Sequence, residues 1–481
     1  MVKCQKVKKP LEILTKEDLE KIHQTSIRIL NGIGVKMDDS HIVRLFKEHG
    51  CEVDEKNRIV KINEELIKEH LKKIPKVFTI SSRIGEKMNV GNGSFYMISP
   101  SDNNYVLDIE NGTRRPANLK DCSEMARLVD ALEFFHGVST PVLPHEFPPK
   151  IRCIYAAATT LRNTIKHYEP EPTSIMEAKY IIKMVEAIVG GEEELIKNPI
   201  TSTVICPIAP LQFPESSLYT LMEYAKRKLP LQVMSAPILG VSSPITMAGS
   251  LALSNAENLS GITLIELISN GSPVYYGGSN IPFDMSAGNS AAGAMEFNIL
   301  SIAEAQLARF YGIPAYGAGG TTNAKLGDAQ CGYEKMASTL LSYLAGYDMV
   351  VETSLDNHSL YAYEDLIIQN EIAGMVMRFG NAFQVSDETI AFDTIKKVGI
   401  GGNFLGEKHT RIHAKTDFWY SKLPNRSTYE EWLAKGGKEL RINAIEQAKK
   451  LLAEHQPIPL DRDIDNKIDE ILKEARKEAG V

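Results

Sequence analysis

Apolar positions recur along this chain in two different ways. Over residues 1–90 they fall at helical spacing. Leu19, Ile22, Ser26, Ile29 and Leu30 share one face, after Thr15-Lys-Glu-Asp18, which has the form of a capping box with Asp in the Glu position. Gly32 suits a C-cap, a second short helix over 40–48 stops at Gly50, and 77–80 reads as a strand. The apolar count here is modest, so residues 1–90 read as a helical N-terminal cover, not a separate folding unit.

From about residue 94 the pattern changes to short apolar, β-branched or aromatic runs alternating with amphipathic stretches. Strands are expected at 94–98, 134–139, 164–167, 200–205, 231–235, 274–276, 315–316 and 349–352. Among the intervening helices, 120–132 carries Cys122, Met125, Leu128, Val129 and Leu132 on one face, with Asn118 as N-cap. The helix over 245–269 is expected to open on Ser243-Pro244 and close at Asn270-Gly271. Gly271-Ser-Pro-Val-Tyr-Tyr-Gly-Gly278 and Gly312-Ile-Pro-Ala-Tyr-Gly-Ala-Gly319 echo each other as repeated βα units. Eight such units in a row point to an α/β fold with a closed (β/α)8 TIM-type barrel over 91–400; a doubly wound sheet is the alternative. An Asn111-Gly112 turn interrupts the first unit with a hairpin. Residues 401–481 then form a loop (Gly401 to Gly406), a helix over 429–455 and a charged helical tail, a C-terminal extension packed on the barrel.

Composition narrows the class. The 481 residues carry 54 Lys and Arg against 61 Asp and Glu, a net charge of −7, which argues against a nucleic-acid partner. At 43 % hydrophobic and 24 % charged the chain is ordinary globular material, with no apolar run of ~18 residues to span a membrane. The six cysteines form no CxxC and read as free core thiols, and no apolar stretch follows the basic N-terminus. A cytoplasmic enzyme-sized protein, and a homo-oligomer, is expected.

The usual catalytic signatures are absent. There is no P-loop, no HExxH and no GxSxG, and His409-Thr-Arg-Ile-His413 has two-His spacing without the glutamate, so no metal site and no tightly bound cofactor is expected. In a parallel barrel the site lies at the C-terminal strand ends. The segments there supply Ser99, Asp102 and Asn103; Pro207, Phe213 and Pro214; Gly277, Gly278, Asn280, Phe283, Asp284 and Asn289; Gly319 to Asn323 and Lys325; and Asp356, Asn357, His358, Tyr361 and Tyr363. His358, just past a buried strand, is a candidate for direct substrate contact, set against an ordinary loop histidine. Tyr96, Tyr105, Phe213, Tyr276, Phe283, Tyr316, Tyr361 and Phe404 cluster near strand exits. They read either as barrel filling or as a cage for a quaternary ammonium cation, which binds aromatic faces.

Four segments carry a family resemblance. They are Tyr105-Val-Leu-Asp108 with Gly112-Thr-Arg-Arg-Pro-Ala117, Gly327-Asp-Ala-Gln-Cys-Gly-Tyr-Glu-Lys335, Gln369-Asn-Glu371, and Gly401-Gly-Asn-Phe-Leu-Gly406 with His409-Thr410. In this order they resemble the trimethylamine methyltransferase family, in particular its members that lack pyrrolysine and act on quaternary amines such as glycine betaine. The resemblance implies a barrel, a cognate corrinoid protein as partner, and methyl transfer to its Co(I) centre. Trimethylamine-specific members carry pyrrolysine shortly before the segment that here reads Tyr363 to Glu371, and His358 falls at or near that place. This departure favours a quaternary amine.

Such a reaction asks little acid–base chemistry of the protein. Co(I) is itself the nucleophile and the leaving group is a neutral tertiary amine, so alignment, a cation cage and a dry site suffice. No residue of the chain is then expected to be catalytic in the narrow sense. On this reading Tyr96, Phe283, Tyr316, Tyr361 and Phe404, with Phe213 at the mouth, build the cage. His358 donates to the substrate's carboxylate, and Gly277, Gly278, Asn323 and Asn357 shape the floor or donate hydrogen bonds. Glycine betaine, carnitine, γ-butyrobetaine, proline betaine and choline all qualify as substrate. Two other classes stand beside it: a non-catalytic betaine-binding protein, and a barrel hydrolase or lyase using His358 as base with Asp284 or Asp356 nearby.

Overall fold

The computed structural model describes residues 4–481. Eight parallel strands follow one another in chain order: β1 (Ser94–Ile98), β2 (Gly137–Ser139), β3 (His167–Glu169), β4 (Thr203–Ile205), β5 (Leu231–Ser235), β6 (Val274–Gly278), β7 (Tyr316–Gly319) and β8 (Met349–Glu352). Strand β1 pairs with both β2 and β8, β2 pairs with β3, and β7 with β8. Strands β4, β5 and β6 form a second run. Single parallel bridges, Tyr168↔Thr201 and Tyr276↔Ala315, join the two runs at β3–β4 and β6–β7. The circuit is closed, and the chain forms a (β/α)8 barrel.

Helices α1 (Leu119–Ala131), α2 (Pro149–Arg162), α3 (Ile175–Val189), α4 (Glu215–Lys226), α5 (Met247–Ile268), α6 (Met295–Tyr311), α7 (Ala329–Ala345) and α8 (Tyr363–Gly380) follow the strands. Asn118 with Asp121 and Ser174 with Glu177 make capping boxes on α1 and α3. Gly312 and Gly346 end α6 and α7 in the left-handed region that glycine adopts without penalty. Several details differ from the sequence reading: the strands expected from 134 and 200 begin at Gly137 and Thr203, and those expected over 274–276 and 315–316 run on to Gly278 and Gly319. Strand β3 starts at His167, not at 164, because Asp130 holds Thr164 and Ile165 in a bend before it. Helix α5 starts at Met247, and the Ser243 hydroxyl turns to Ser250 instead of capping it. The expected helix over 429–455 is two, Tyr429–Ala434 and Leu440–Glu454, because Gly436 and Gly437 both take positive φ.

The segments outside the barrel each cover part of it. Helix Lys16–Gly32 lies on α5, with the Ser26 hydroxyl donating to the Ala252 carbonyl and accepting from Asn255. Enclosed between cover and barrel, α5 is buried without a break from Ser250 to Glu266, which explains its lack of a polar face. The hairpin of Phe78–Ser81 and Lys87–Val90 closes the N-terminal end, its Ile80, Met88 and Val90 packing with Tyr275, Tyr316 and Met349 inside the barrel. At the C-terminus, Leu440–Glu454 buries Ala444 and Ala448, and Arg462–Ala479 is tied down by Arg162 to Asp465 and Asp469 and by Lys183 to Glu474. Residues 381–422, between α8 and these helices, bury no side chain. Cys51, Cys122, Cys153 and Cys331 are buried free thiols and Cys206 is half-buried. Among the described residues no helix is long and apolar enough to cross a membrane.

The glycines echoed in β6 and β7 are required by contact. A Cβ on Gly277 would collide with the Tyr316 carbonyl, and one on Gly278 would meet the Glu304 carboxylate at 2.6 Å. Gly277→Ala is therefore expected to lower stability by ~1–3 kcal/mol, the usual cost of overpacking, read as a lower urea midpoint. An unchanged midpoint would mean that β6 and β7 do not approach this closely.

Candidate functional site

A cavity of about 270 Å³ opens where the strands exit, just below the usual ~300–1,000 Å³ of small-ligand pockets. Its walls come from six of the eight exits. Ser101 follows β1, Glu171 follows β3, Met234 ends β5, Ser279 and Ile281 follow β6, Ala318 and Thr321 belong to the β7 exit, and Val351, Thr353, Asn357 and His358 to that of β8. Ala292 and Phe297 complete it from the segment entering α6. The lining is aliphatic and hydroxylic. It holds one aromatic six-membered ring, Phe297, one carboxylate, Glu171, and no lysine or arginine.

His358 reaches this cavity through unusual backbone. Asp356, Asn357 and His358 have φ of 52°, 53° and 63°, a single left-handed turn made of three non-glycine residues. Each costs about 1–2 kcal/mol relative to right-handed backbone, so the turn persists only because its surroundings fix it. The Asp356 and Asn357 amides donate to the carbonyls of Ala324 and Thr322 at 2.8 and 2.9 Å. Lys325 pairs with the Asp356 carboxylate at 2.9 Å, and the Ser354 hydroxyl donates to Asn103 at 2.6 Å. The β7–α7 loop that receives these bonds is anchored in turn by Glu334, whose carboxylate accepts from the Thr322 hydroxyl and the Asn323 amide. Buried Lys335 donates to the carbonyls of Gly320 and Thr353, tying the β7 and β8 exits together. Glu334 and Lys335 close the sequence motif that began at Gly327, so that motif serves the turn.

The imidazole's hydrogen bonds settle its tautomer. The Ser354 amide donates to Nδ1 at 3.3 Å, so Nε2 carries the proton and faces Ser101 Oγ at 3.3 Å. The Ser101 hydroxyl donates onward to Glu171 at 2.7 Å. Desolvation, then the positive charge of Lys335, pushes the His358 pKa down to about 4, so the ring is neutral near pH 7. Burial pushes Glu171 up from the ordinary carboxylate range. It raises Asp102 further, with the negative charges of Glu171 and Glu177 adding to the effect.

The structure brings His358 and Asn357 into the cavity and puts the remaining sequence candidates elsewhere. Tyr316 and Tyr96 lie inside the barrel, Tyr316 donating to Glu169 and Tyr96 edge-on to His136. Tyr361 is buried in the main core beneath the mouth. Phe213 is fully buried where residues 212–213 pair with Val35–Met37 of the cover. Phe283 rims a separate cleft outside the mouth, and Phe404 stands 44 % exposed on the 381–422 segment. These rings therefore do not form one cage. Asn323 is spent on Gly293 and Ser290, and Gly277 and Gly278 serve close strand packing. Sequence reasoning missed Ser101, Glu171, Ser279, Phe297 and Thr353. A signal existed for the first two, since each sits within three residues of a strand end, yet neither residue type stands out in a loop.

The chain matches the trimethylamine methyltransferase family over residues 2–480. It is 35 % identical to a trimethylamine methyltransferase of Methanosarcina thermophila, over 94 % of this chain and 95 % of that one. It is 32 % identical to a glycine betaine methyltransferase of Desulfitobacterium hafniense, over 97 % of this chain and 98 % of the other. The crystal structure of the Methanosarcina barkeri monomethylamine methyltransferase aligns over 91 % of this chain and 93 % of its own, at 12 % identity and a TM-score of 0.47.

In a histidine-resolved nitrogen NMR titration, His358 is expected to stay the neutral Nε2–H tautomer at about pH 6, where an ordinary imidazole is largely charged. The unfolded chain takes up this proton near pH ~6.5 and the folded ring does not, so this site lowers stability as pH falls from ~6.5 towards 4. A His358 pKa near the ordinary value would overturn the hydrogen-bond assignment.

Proposed function

This chain belongs to the trimethylamine methyltransferase family, and on that premise we propose that it moves a methyl group from a quaternary amine, glycine betaine or a related betaine, to a corrinoid carried by a partner protein. The observation that carries the reading is the cavity. It is small, largely aliphatic, opens at the strand exits, and has a neutral imidazole, His358, at or near the place where the family resemblance sets pyrrolysine in trimethylamine-specific members. The corrinoid supplies a Co(I) nucleophile when it docks.

The residues of the chain would do the rest. Met234, Ile281, Ala318, Val351 and Phe297 strip water from the substrate's methyl groups. Ser279, Thr321 and Asn357 offer hydrogen bonds that orient the end remote from the transferred methyl, and His358 fixes the wall beside them through its bond to Ser101. The rim suits a large, partly apolar partner surface. Ile208, Val241, Ile245 and Met285, on loops at the exits of β4 to β6, and Met295, at the start of α6, are more than half exposed, and Ile245 lines the cleft that Phe283 borders.

The hydrolase alternative fits this geometry poorly. Asp356 is paired with Lys325, and Asp284 bonds within its own turn to Ser286. The proton order runs from His358 to Ser101 to Glu171, so the serine hydroxyl points at a carboxylate and the histidine acts as a donor.

Mixing the protein with free cob(I)alamin and each of glycine betaine, carnitine, γ-butyrobetaine, proline betaine and choline tests the reading by absorbance. At least one amine is expected to support methylation, and His358→Ala to slow it ~10-fold or more through lost orientation. Binding without turnover would instead mark a betaine-binding protein. Turnover indifferent to cobalt would mark a hydrolase or lyase.

A further inference from the structure

The cavity carries a charge that nothing in its walls offsets. Glu171 is its single carboxylate, and no lysine or arginine lines it. One oxygen of Glu171 accepts from Ser101, and Asp102, next to Ser101 at the β1 exit, has a buried Oδ1 that makes no hydrogen bond. The groups packed around this pair do not supply a cation either. Toward it face Glu177 from α3, held in its own capping box, and Glu169 from β3, engaged by Ser202 and Tyr316. Cys122 on α1, Cys153 on α2 and Cys206 after β4 are thiols that burial keeps protonated. Tyr168 and Tyr316 remain neutral phenols for the same reason. His358, linked through Ser101, is uncharged. A second sign of a ligand is Thr321, which is 1 % exposed and lines the same cavity with an Oγ1 that has no partner.

An aromatic cage would have stabilised an ammonium head through ring faces, but the cavity has one phenyl ring. A quaternary ammonium donates no hydrogen bond, so what remains to favour it is the field of a carboxylate. We propose that Glu171 is the counter-charge of the substrate's ammonium head, and that a proton held on this buried carboxyl is displaced to solvent by the arriving cation. The inference rests on the quaternary amine reading above. No bond other than O–H is made or broken in this step: the carboxyl gives its proton to buffer and becomes the carboxylate that faces the cation.

The sign of the pH dependence follows. Below the pH at which Glu171 ionises, binding must expel a proton, and affinity rises with pH by up to ~10-fold per unit. Above it there is no proton to lose and affinity is flat.

Calorimetric titration with glycine betaine, in two buffers of different ionisation heat, reads both terms. The full-length protein is expected to release protons on binding at low pH. Glu171→Gln is expected to weaken glycine betaine ~30-fold or more and to abolish proton release. Against 3,3-dimethylbutanoate, which has the same shape with carbon in place of the ammonium nitrogen, the same variant should lose nothing, and this also shows that it is folded. Asp102→Asn leaves the carboxyl of Glu171 in place and should keep glycine betaine binding. An unchanged affinity for glycine betaine in Glu171→Gln, with the isostere unaffected, overturns the counter-charge and leaves the proposed reaction standing. Failure of every quaternary amine to bind the unaltered protein overturns both.

Discussion

The barrel closes at a seam where two strands leave no room for side chains. Strand β6 ends in Gly277-Gly278 and β7 contains Gly317 and Gly319, and at Gly277 the neighbouring strand's Tyr316 carbonyl occupies the space a Cβ would need. The same carbonyl accepts from the Gln232 amide of β5, so three strands meet at one peptide. With little hydrogen-bonded ladder across this seam, close backbone contact and filling of the interior hold it. Tyr275 and Tyr316 stack edge-on at 5.2 Å, and Phe78 of the closing hairpin packs on Tyr275 at 4.9 Å. The rings are thereby committed to filling the space that glycines vacate. Everything that converges at the mouth depends on this closure, because it sets the spacing of the strand exits.

Much of this architecture could be read in the chain. Runs such as 94–98, 231–235 and 349–352 are strands because buried parallel strands need short apolar, β-branched stretches, and those boundaries match residue for residue. The site was less legible for a physical reason. Ser101 and His358 meet across 257 residues of sequence, and only barrel closure makes them neighbours. Aromatic residues near strand exits could not be assigned to cage or filling, since both need large rings at the same sequence positions. The left-handed turn leaves only a weak trace, in that Asp356 and Asn357 are types that tolerate positive φ. Gly436 and Gly437 inside an otherwise amphipathic run gave a plainer signal, and the helix does break there.

The interior makes several of its acids harder to ionise. Burial raises Glu169, Glu304 and Glu352 to about 7, against the hydrogen bonds from Tyr316, Asn280 and Thr339 that favour their ionised forms. Lys335 is the one buried ammonium near the mouth, and it is consumed by two carbonyls and by Asp365. The interior, including the layer between strands and helices, therefore holds latent negative charge. Apolar walls sharpen that field, and they reject an anion more strongly than a neutral molecule.

The turn at 356–358 separates support from chemistry. Its strained backbone is fixed by the amides of Asp356 and Asn357, by the Lys325 ion pair and by the hydroxyl of Ser354. The side chain of residue 358 takes no part in that scaffolding beyond one bond back to the Ser354 amide. It is presented to the cavity as a plug is held by a socket. Because the socket does not depend on the plug, the side chain at 358 can be exchanged without rebuilding the barrel.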